Sequence, residues 1–497
     1  MSQARLTTCL PLPMENKMLV TVIEKAKDWA LMHGVGMRDK NNFTKDAIQI
    51  APFVLLPSPF PKNEFEKAVE LQPVLNELMH KVAHDDEFLE QTLQNALQVD
   101  EFTASLYNIW LKVREEGIAQ PVSLGMLRSD VMLDSRCPHT ENQCAKHAPY
   151  CSWKQVEINS IASGFGHLGP VSREIQRFES EIRWPLLNEF CIVYQMPENR
   201  ALSGLCSGIT EAYDLFGVPQ AVILFVVEEV SYNICDQRFH EFEISETRPD
   251  IQVNLFLGEH PPKLVTLYEN YLVFSDGCPV AVVYYRSGYE PAQYPTTKEW
   301  DARLRVERST AIKCPSIHYQ LAGTKKVQQA LASAGALEKF MGAGAATGRV
   351  RDIFTGLYSL DFDESGERAV EMALADAERF VLKPQREGGG NNVYGAEVRE
   401  ALIKMRHSRE RAAYILMERI LPPLVSGYVV RPGASVPPQL CDLVSELGIF
   451  GVIIGTKEKI YSNKQVGHML RTKSAEANEG GVAAGLGALD SPYLIDM

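Results

Sequence analysis

The sequence lacks both a long apolar run and an excess of basic residues. No stretch approaches the ~18 consecutive apolar residues of a membrane-spanning helix. The chain has 50 Lys and Arg residues against 63 Asp and Glu residues, which gives a formal net charge of −13 at pH 7. A nucleic-acid partner requires a broad cationic surface. The composition therefore predicts a protein that neither enters a membrane nor has nucleic acid as its main partner.

Several targeting and nucleotide-binding motifs are also missing. The N-terminus MSQARLTTCLPLPMENK has no uninterrupted apolar core, so it is not a signal peptide as it stands. This predicts a cytoplasmic location, with export through a removed signal left open. No G-x-x-x-x-G-K-[ST], H-R-D or D-F-G occurs, which excludes a P-loop and a protein kinase. GFGHLG at 164–169 matches the G-x-G-x-x-G pattern of dinucleotide-binding proteins. That motif follows a buried apolar strand, whereas the preceding VEINSI is half polar, so the sequence does not favour a dinucleotide site.

Cysteine is sparse and does not form a metal-binding pattern. Of ten Cys residues, seven are scattered, at 9, 191, 206, 235, 278, 314 and 441, which is typical of reduced, buried thiols. Cys137, Cys144 and Cys151 are seven residues apart, with His139 and His147 between them. No C-x2–4-C pair is present, so a polar surface loop is favoured over a zinc site. A disulfide within this loop is an alternative only if the protein is exported.

The hydrophobic periodicity predicts four segments in a chain long enough for two or three folding units. Residues 1–120 carry apolar residues at helical spacing, and residues 121–215 combine strands and helices. Residues 216–320 resemble a separate α/β unit. Residues 321–497 hold a glycine-rich lid and, in EANEGGVAAGLGALD, a Gly- and Ala-rich loop that we expect to be mobile.

The run FVLKPQREGGGNNV at 380–393 concentrates groups that suit a polyphosphate and a cation. Gly388, Gly389 and Gly390 allow close approach of backbone N–H groups to phosphate oxygens. Lys383 supplies a point charge, and Glu387 is a hard oxygen ligand of the kind that Mg²⁺ prefers. A glycine-rich hairpin with incidental charges would explain any one feature. Their occurrence within ten residues favours a nucleotide site.

Five motifs together resemble eukaryotic glutathione synthetase: KPQREGGGNN, QLAGTKKVQQ, SELGIFG, VGHMLRTK and EGGVAAG. The resemblance implies a mixed α+β and α/β chain with an ATP-grasp fold, a helical N-terminal region and an inserted α/β substrate-binding domain. It also implies a homodimer, ATP and Mg²⁺ as cofactors, and γ-glutamylcysteine and glycine as substrates. In such a ligase ATP converts a carboxylate to an acyl phosphate, which an amine attacks, so catalysis depends on positioning and charge neutralisation.

The resemblance also implies an ATP-binding set and a metal-binding set. The ATP-binding residues are Lys325, Lys383, Gly388, Gly389, Gly390, Asn391, Asn392, Tyr394, Met417, Glu418, Arg419, Ile420, Glu446, Lys473 and Glu479. The two lysines Lys325 and Lys383 would hold phosphates, the backbone of 417–420 would contact adenine, and Glu446 would bind ribose. The implied Mg²⁺ ligands are Glu157, Asn159 and Glu387. Glu479 stands where the family usually has Asp.

Two arginines, Arg128 and Arg471, are the catalytic residues that the resemblance implies, with Arg471 pairing with the glycine carboxylate. The implied substrate-binding residues are Arg128, Ala162, Gly164, Ser231, Asn233, Gln237, Arg286, Tyr289, Arg471, Val482 and Ala483.

The chain departs from the family pattern on the dipeptide side. Ala162 and Gly164 occupy positions where the family has serines, and Ser163 falls out of phase on an alternating strand. Ser231 replaces a Glu, and Ser287 replaces an Asp. The resemblance implies an ATP-dependent ligase that joins γ-glutamylcysteine, or a related γ-glutamyl dipeptide, to glycine through an acyl phosphate. The departures add the alternative of a diverged paralogue with weak or changed substrate specificity that acts as a secreted or binding protein. Neutral drift in a working enzyme is the remaining interpretation.

Overall fold

The centre of the fold is an eight-stranded sheet, here called the central sheet. Its strands, in spatial order, are Val429–Val430, Phe53–Val54, Gly487–Asp490, Ile460–Ser474, Cys441–Gly455, Ser123–Asp134 and Ser152–Asn159, with Val425–Gly427 beside Cys441–Gly455. The structure is a computed structural model that describes residues 4–39, 41–136, 150, 152–183, 195–228, 230–257, 265–268, 270–274, 277–387, 390–478, 480–482 and 486–496.

Both faces of the central sheet are covered, which explains why the strand Cys441–Gly455 contains the apolar run LGIFGVII. Side chains alternate between the faces of a strand. Leu447, Ile449 and Ile453 pack on the side of the helices Lys62–Ala83 and Glu101–Glu116. Phe450, Val452 and Ile454 pack on the other side, against the helix Ala201–Phe216. A Cβ on Gly208 would lie 2.6 Å from Val452 Cγ1, so glycine permits this close approach.

The helices cover most of the first 120 residues and recur later between strands. Their bounds are Asn16–Met32, Lys62–Ala83, Asp86–Leu93, Glu101–Glu116, Leu168–Arg183, Ala201–Phe216, Ile234–Thr247, Thr297–Glu307, Ile317–Ala322, Lys325–Leu331, Ala336–Met341, Ala345–Ile353, Glu364–Ala375 and Ala396–Met405. The helix Glu101–Glu116 is capped by Asp100, whose carboxylate accepts the Thr103 N–H at 2.7 Å. Within the described ranges, no helix has the length and apolar content that crossing a bilayer requires.

A four-stranded parallel sheet occupies the range predicted as an α/β unit. Its strands, in spatial order, are Ile312–Cys314, Val280–Tyr285, Val222–Val227 and Gln252–Leu257. The runs VILFVV and VAVVYY are almost continuously apolar because helices and neighbouring strands bury both faces. The carboxyl ends of the two middle strands therefore point to one edge, where ligands bind in parallel sheets.

A second four-stranded sheet, antiparallel, carries the glycine-rich run identified above. Its strands are Leu357–Ser359, Tyr414–Glu418, Phe380–Pro384 and Val393–Tyr394. The helices Glu364–Ala375 and Ala396–Met405 pack on it. Three two-stranded pairs complete the described structure: Gly36–Met37 with Gln49–Ile50, Ser58–Pro61 with Pro492–Ile495, and Val265–Tyr268 with Tyr271–Phe274.

The prediction of a mobile loop over EANEGGVAAGLGALD is wrong at its C-terminal end. Gly487–Asp490 is a buried strand of the central sheet, paired with residues 470–473. A Cβ on Gly487 would lie 2.2 Å from the Gly480 carbonyl oxygen, so small residues serve close packing there. Glu479 and residues 483–485 lie outside the described residues.

Six cysteines among the described residues carry free thiols. Cys206, Cys235 and Cys314 are buried as predicted, whereas Cys9, Cys278 and Cys441 are partly exposed. Cys191 and the loop with Cys137, Cys144, Cys151, His139 and His147 lie outside the described residues.

Three histidines pack against one another where the helices Lys62–Ala83 and Ile317–Ala322 meet, with tilted or edge-on rings. The ring centroids of His80 and His84 are 4.4 Å apart, and those of His84 and His318 are 4.8 Å apart. Burial, followed by the neighbouring His84, lowers the pKa of His80 to about 4. Burial is also the main cause that lowers the pKa of His84 and His318. The cluster is therefore neutral in the folded protein at pH 7.

This cluster predicts a loss of stability in acid. The folded-state pKa of His80 lies below the unfolded value of about 6.5, so its contribution is present above pH 6.5 and is lost as the pH falls towards 4. We expect His80 alone to reduce the free energy of unfolding by about 3 kcal/mol at pH 4. Urea unfolding at several pH values gives the free energy of unfolding as a function of pH. Between pH 6.5 and 4 this free energy should fall less steeply for His80→Gln than for wild type, whereas the exposed His33→Gln should show the wild-type pH dependence. Equal slopes for His80→Gln and wild type would contradict the prediction.

Candidate active site

A cleft of about 600 Å³ opens where the three sheets approach one another. It gathers nearly the whole predicted site. The predicted site residues that line the cleft are Arg128, Glu157, Asn159, Ala162, Gly164, Ser231, Asn233, Gln237, Arg286, Tyr289, Lys325, Lys383, Glu387, Asn391, Asn392, Tyr394, Met417, Glu418, Arg419, Ile420, Glu446, Arg471, Lys473 and Val482. Gly390, with a φ of +79°, is described but does not line it. Gly388, Gly389, Glu479 and Ala483 lie outside the described residues.

The centre of the cleft is an ammonium held between two carboxylates. Lys325 Nζ lies 2.9 Å from Glu387 Oε1 and 3.1 Å from Glu157 Oε2. Lys325 begins the helix Lys325–Leu331, Glu157 lies on an edge strand of the central sheet, and Glu387 follows a strand of the antiparallel sheet. Lys325 is only 3% exposed. Three distant parts of the chain therefore place their charges at one buried point.

The electrostatics of this point keep one carboxylate firmly ionised. Burial raises the pKa of Glu157, but the charges of Lys325, Lys383 and Arg471 outweigh it and hold the pKa below its usual range. Burial raises the pKa of Glu387 despite the charge of Lys325. Glu157 therefore supplies a permanent negative charge.

Lys383 is the second ammonium of the cleft. Its Nζ donates to the Val156 carbonyl oxygen at 2.9 Å, next to Glu157. Burial lowers its pKa, with Glu157 opposing and Lys325 adding to the effect. Two ammonium groups near the end of the glycine-rich run suit the oxygens of a polyphosphate.

The predicted metal ligands fit a hard cation by chemistry and placement. Glu157 and Glu387 already converge on a cationic group, the Lys325 ammonium. Asn159 Nδ2 donates to Asp130 Oδ2 at 3.0 Å, which leaves its amide oxygen as the atom for a cation. Among the described residues, no group of three or more His, Cys, Asp or Glu is arranged to hold a metal. Two carboxylates and an amide oxygen suit Mg²⁺, which usually completes its shell with water and phosphate oxygens.

The two predicted catalytic arginines are joined by carboxylates. Arg128 donates to both oxygens of Asp130, at 2.6 and 2.7 Å. Arg471 Nη2 lies 3.6 Å from Asp130, and Arg471 also donates to Glu446, which stands opposite it in the hairpin. Glu446 was predicted to bind ribose and instead accepts from Arg471 here, so its ribose contact stays a prediction.

Sequence reasoning missed Asp130. Its carboxylate is 0% exposed and holds Arg128 and Asn159 in place. The signal was present in the motif MLRSD, because residues i and i+2 of a strand share a face. An acidic residue two positions after a catalytic arginine on a strand is therefore expected to lie beside that arginine.

Several of the residues predicted to bind nucleotide lie along the antiparallel sheet. Met417 and Glu418 end the strand Tyr414–Glu418. Asn392 Nδ2 donates to the Tyr394 hydroxyl at 3.2 Å. Lys473 Nζ donates to the Asn478 carbonyl oxygen, and Arg419 Nη2 donates to Asn478 Oδ1 at 3.3 Å. Asn478 thus links the segment 417–420, which is predicted to contact adenine, to Lys473.

The dipeptide side shows the departures that the sequence indicated. The hydroxyl of Ser163 donates to the Met126 carbonyl oxygen at 3.0 Å, and Ser163 is buried away from the cleft. Ser231 lines the cleft and donates to Gln237 Oε1 at 2.6 Å. Ser287 lines a separate cavity beside the helix Thr297–Glu307.

Asp236 is a second residue that sequence reasoning missed. Its buried carboxylate accepts the N–H groups of Phe165 and His167 at 2.8 and 3.0 Å, and Arg286 Nη2 at 3.0 Å. Burial raises its pKa, but the charge of Arg286 and these hydrogen bonds lower it overall. Asp236 therefore fixes two walls of the dipeptide side. No local signal in EEVSYNICDQ distinguishes it, because its partners are distant in sequence.

Comparisons with known proteins agree with the motifs. Residues 16–494 match the family model described as eukaryotic glutathione synthase, ATP binding domain. A glutathione synthetase of Rattus norvegicus is 43% identical over 481 residues, which cover 96% of this chain and 98% of that protein. A chloroplastic glutathione synthetase of Solanum lycopersicum is 35% identical over 493 residues, which cover 98% and 86%. A glutathione synthetase-like effector of Globodera pallida, solved in the apo form, shares the fold with a TM-score of 0.77 at 24% identity, covering 98% of this chain and 100% of that one.

Proposed function

The chain belongs to the eukaryotic glutathione synthetase family, and from this premise we propose how its cleft works. The chain is an ATP-dependent ligase of glutathione synthesis, since glutathione synthetases at 35–43% identity align along nearly all of it. The alternative of a secreted or binding paralogue is not favoured. The observation that carries the proposal is the meeting of Lys325, Glu157 and Glu387 at one buried point beside Lys383.

The fold is glutathione synthetase-like with mixed α and β structure. We propose that it is an ATP-grasp fold in which the antiparallel sheet forms one nucleotide-holding lobe. We also propose the segments 1–120, 121–215, 216–320 and 321–497 as its structural units. The parallel sheet within 216–320 supports an inserted substrate-binding unit.

The proposed chemistry assigns a role to each end of the cleft. Lys325 and Lys383 bind the phosphates of ATP, and Arg128 lies where a dipeptide carboxylate would be phosphorylated. The carboxylate oxygen attacks the γ-phosphorus and ADP leaves. The glycine amine then attacks the acyl carbon, loses a proton, and phosphate leaves. Arg471 holds the glycine carboxylate and thereby orients the amine.

We propose Glu157, Asn159 and Glu387 as the residues that would hold Mg²⁺. Bound Mg²⁺ would neutralise charge on the transferring phosphoryl group. For this to happen the Lys325 ammonium must give up part of its contact with the two carboxylates and turn towards phosphate. A homodimer and a cytoplasmic location stay predictions from the resemblance and the sequence.

A substitution at Lys383 tests this function. Wild type with γ-glutamylcysteine, glycine, ATP and Mg²⁺ should release ADP and form glutathione. Lys383→Met should lower kcat by about 100-fold or more, because a preorganised charge at the transferring group is lost. ADP release and mass spectrometry of the product provide the measurement.

The exposed Lys404→Met, on the helix Ala396–Met405, is the matched control and should keep wild-type turnover. A Lys383→Met enzyme with the wild-type kcat would contradict the phosphate role. A wild type with no ATP-dependent turnover would contradict the function itself.

A further inference from the structure

The dipeptide side of the cleft ends in two carboxylates that the predicted site did not include. Glu228 follows the strand Val222–Val227, and Glu290 follows the strand Val280–Tyr285 by a short loop. These strands are parallel neighbours, with Val226 opposite Tyr285. Both glutamates line the cleft together with Ser231, at the carboxyl edge of the parallel sheet.

One amide holds the two carboxylates together. Gln293 Nε2 donates to Glu228 Oε1 and, at 3.3 Å, to Glu290 Oε1. Gln293 Oε1 accepts the backbone N–H groups of Gly288 and Tyr289, at 2.6 and 2.9 Å. The position of this acidic pair is therefore built into the loop and does not depend on flexible surface side chains.

The pair sets a negative potential on this wall. The pKa of the Tyr289 hydroxyl is raised by burial first and then by Glu228, with Glu290 contributing. The pKa of Tyr232 is raised by the same causes in the same order. A cationic group would be stabilised here, since opposite charges attract most strongly where water is partly excluded.

The same cleft is also lined by an incompletely satisfied cation. Arg286 is 5% exposed and lines the cleft, and its Nε has no hydrogen-bond partner among the described residues. A buried donor of this kind requires an acceptor, which a bound carboxylate supplies. A ligand that satisfies the acidic pair and this arginine has an ammonium and a carboxylate on one short carbon skeleton.

We propose that the Glu228–Glu290 pair, held by Gln293, is the ammonium-binding subsite for the α-amino group of a γ-glutamyl donor. This inference rests on the proposed function and deepens it. In the family pattern a Glu stands at the position of Ser231, and its carboxylate is the natural partner of an α-ammonium group. The Glu228–Glu290 pair takes over that pairing. The substrate class is thus a γ-glutamyl compound with a free α-amino acid end, and the chain retains its preference for that end despite Ser231.

The test compares γ-glutamylcysteine with glutarylcysteine, which lacks only the α-amino group. Calorimetric titration in the presence of a non-hydrolysable ATP analogue gives binding, and ADP release with glycine gives KM. Wild type should prefer γ-glutamylcysteine. Glu228→Gln and Glu290→Gln should each weaken its binding and raise its KM by about 10- to 100-fold, because a hydrogen bond to a charged group is lost. Their affinity for glutarylcysteine and their KM for ATP should stay at the wild-type values.

Two further variants keep the test decisive. The exposed Glu246→Gln, on the helix Ile234–Thr247, is the matched control and should bind as wild type. Adding Ser231→Glu to Glu228→Gln should restore the preference for the amino compound. Equal losses for both compounds, no loss for either, or no preference in wild type would each overturn the subsite. Binding with this preference but without turnover would support the subsite and contradict the ligase function.

Discussion

Lys325→Met is expected to lower the free energy of unfolding by about 3–5 kcal/mol and to abolish turnover. The substitution removes the buried ammonium that lies between Glu157 and Glu387, and leaves two partly buried carboxylates facing each other. Removing one partner of a buried ion pair has a cost of about this size. Urea unfolding and ADP release are the measurements.

Mg²⁺ provides a second readout of the same variant. If the two carboxylates form half of a metal site, Mg²⁺ should raise the Tm of Lys325→Met more than that of wild type, since the metal replaces the missing cation. The control is Lys339→Met, which breaks a more exposed ion pair with Asp85 and should cost less than about 1 kcal/mol. A Lys325→Met protein as stable as wild type, with no response to Mg²⁺, would contradict the assignment.

Asp130→Asn is expected to have the second largest effect. Its carboxylate is fully buried, accepts two hydrogen bonds from Arg128 and one from Asn159, and lies near Arg471. The substitution leaves Arg128 buried without its charged partner, so we expect a loss of about 3–5 kcal/mol in the free energy of unfolding. We also expect kcat per folded molecule to fall by about 100-fold, because a displaced catalytic side chain loses positioning.

Glu307→Gln is the matched control for Asp130→Asn. Glu307 is also buried, accepts a hydrogen bond from Arg303 Nε at 3.0 Å, and neither residue lines the cleft. It should lower stability while leaving kcat per folded molecule near the wild-type value. Active-site titration with a tight-binding ATP analogue would give the folded fraction. Equal kcat values for the two variants would show that Asp130 has no role in positioning.

The elements with strong local patterns could be predicted from the sequence. The helical spacing before residue 120 and the apolar runs at 222–227 and 280–285 indicated their elements, because burial on one or both faces leaves a period in the chain. Ser163 is absent from the cleft lining, but the predicted reason is wrong, because the strand Ser152–Asn159 ends four residues before it and Ala162 has a φ of +50°. The composition of residues 383–392 predicted a polyphosphate and cation site, and Lys383, Glu387 and Asn392 do line the cleft, while the ligands themselves stay a prediction.

The partners of those residues could not be predicted in the same way. Asp236 contacts segments about 50 and 70 residues away, and such pairing depends on how sheets are placed. The ion pair of Glu446 with Arg471 depends on the register of a hairpin. The strand Gly487–Asp490 was missed because its small residues suggested flexibility, whereas in the fold they allow two backbones to meet.

We propose that nucleotide phosphates and a divalent cation meet at Glu157, Glu387, Lys325 and Lys383. Anomalous diffraction from crystals grown with Mn²⁺ and a non-hydrolysable ATP analogue tests it most directly. The account predicts a manganese peak within about 2.5 Å of an oxygen of both Glu157 and Glu387, with phosphate density beside Lys325 and Lys383. A manganese peak elsewhere, with Lys325 still bridging the two carboxylates and no phosphate at Lys383, would contradict it.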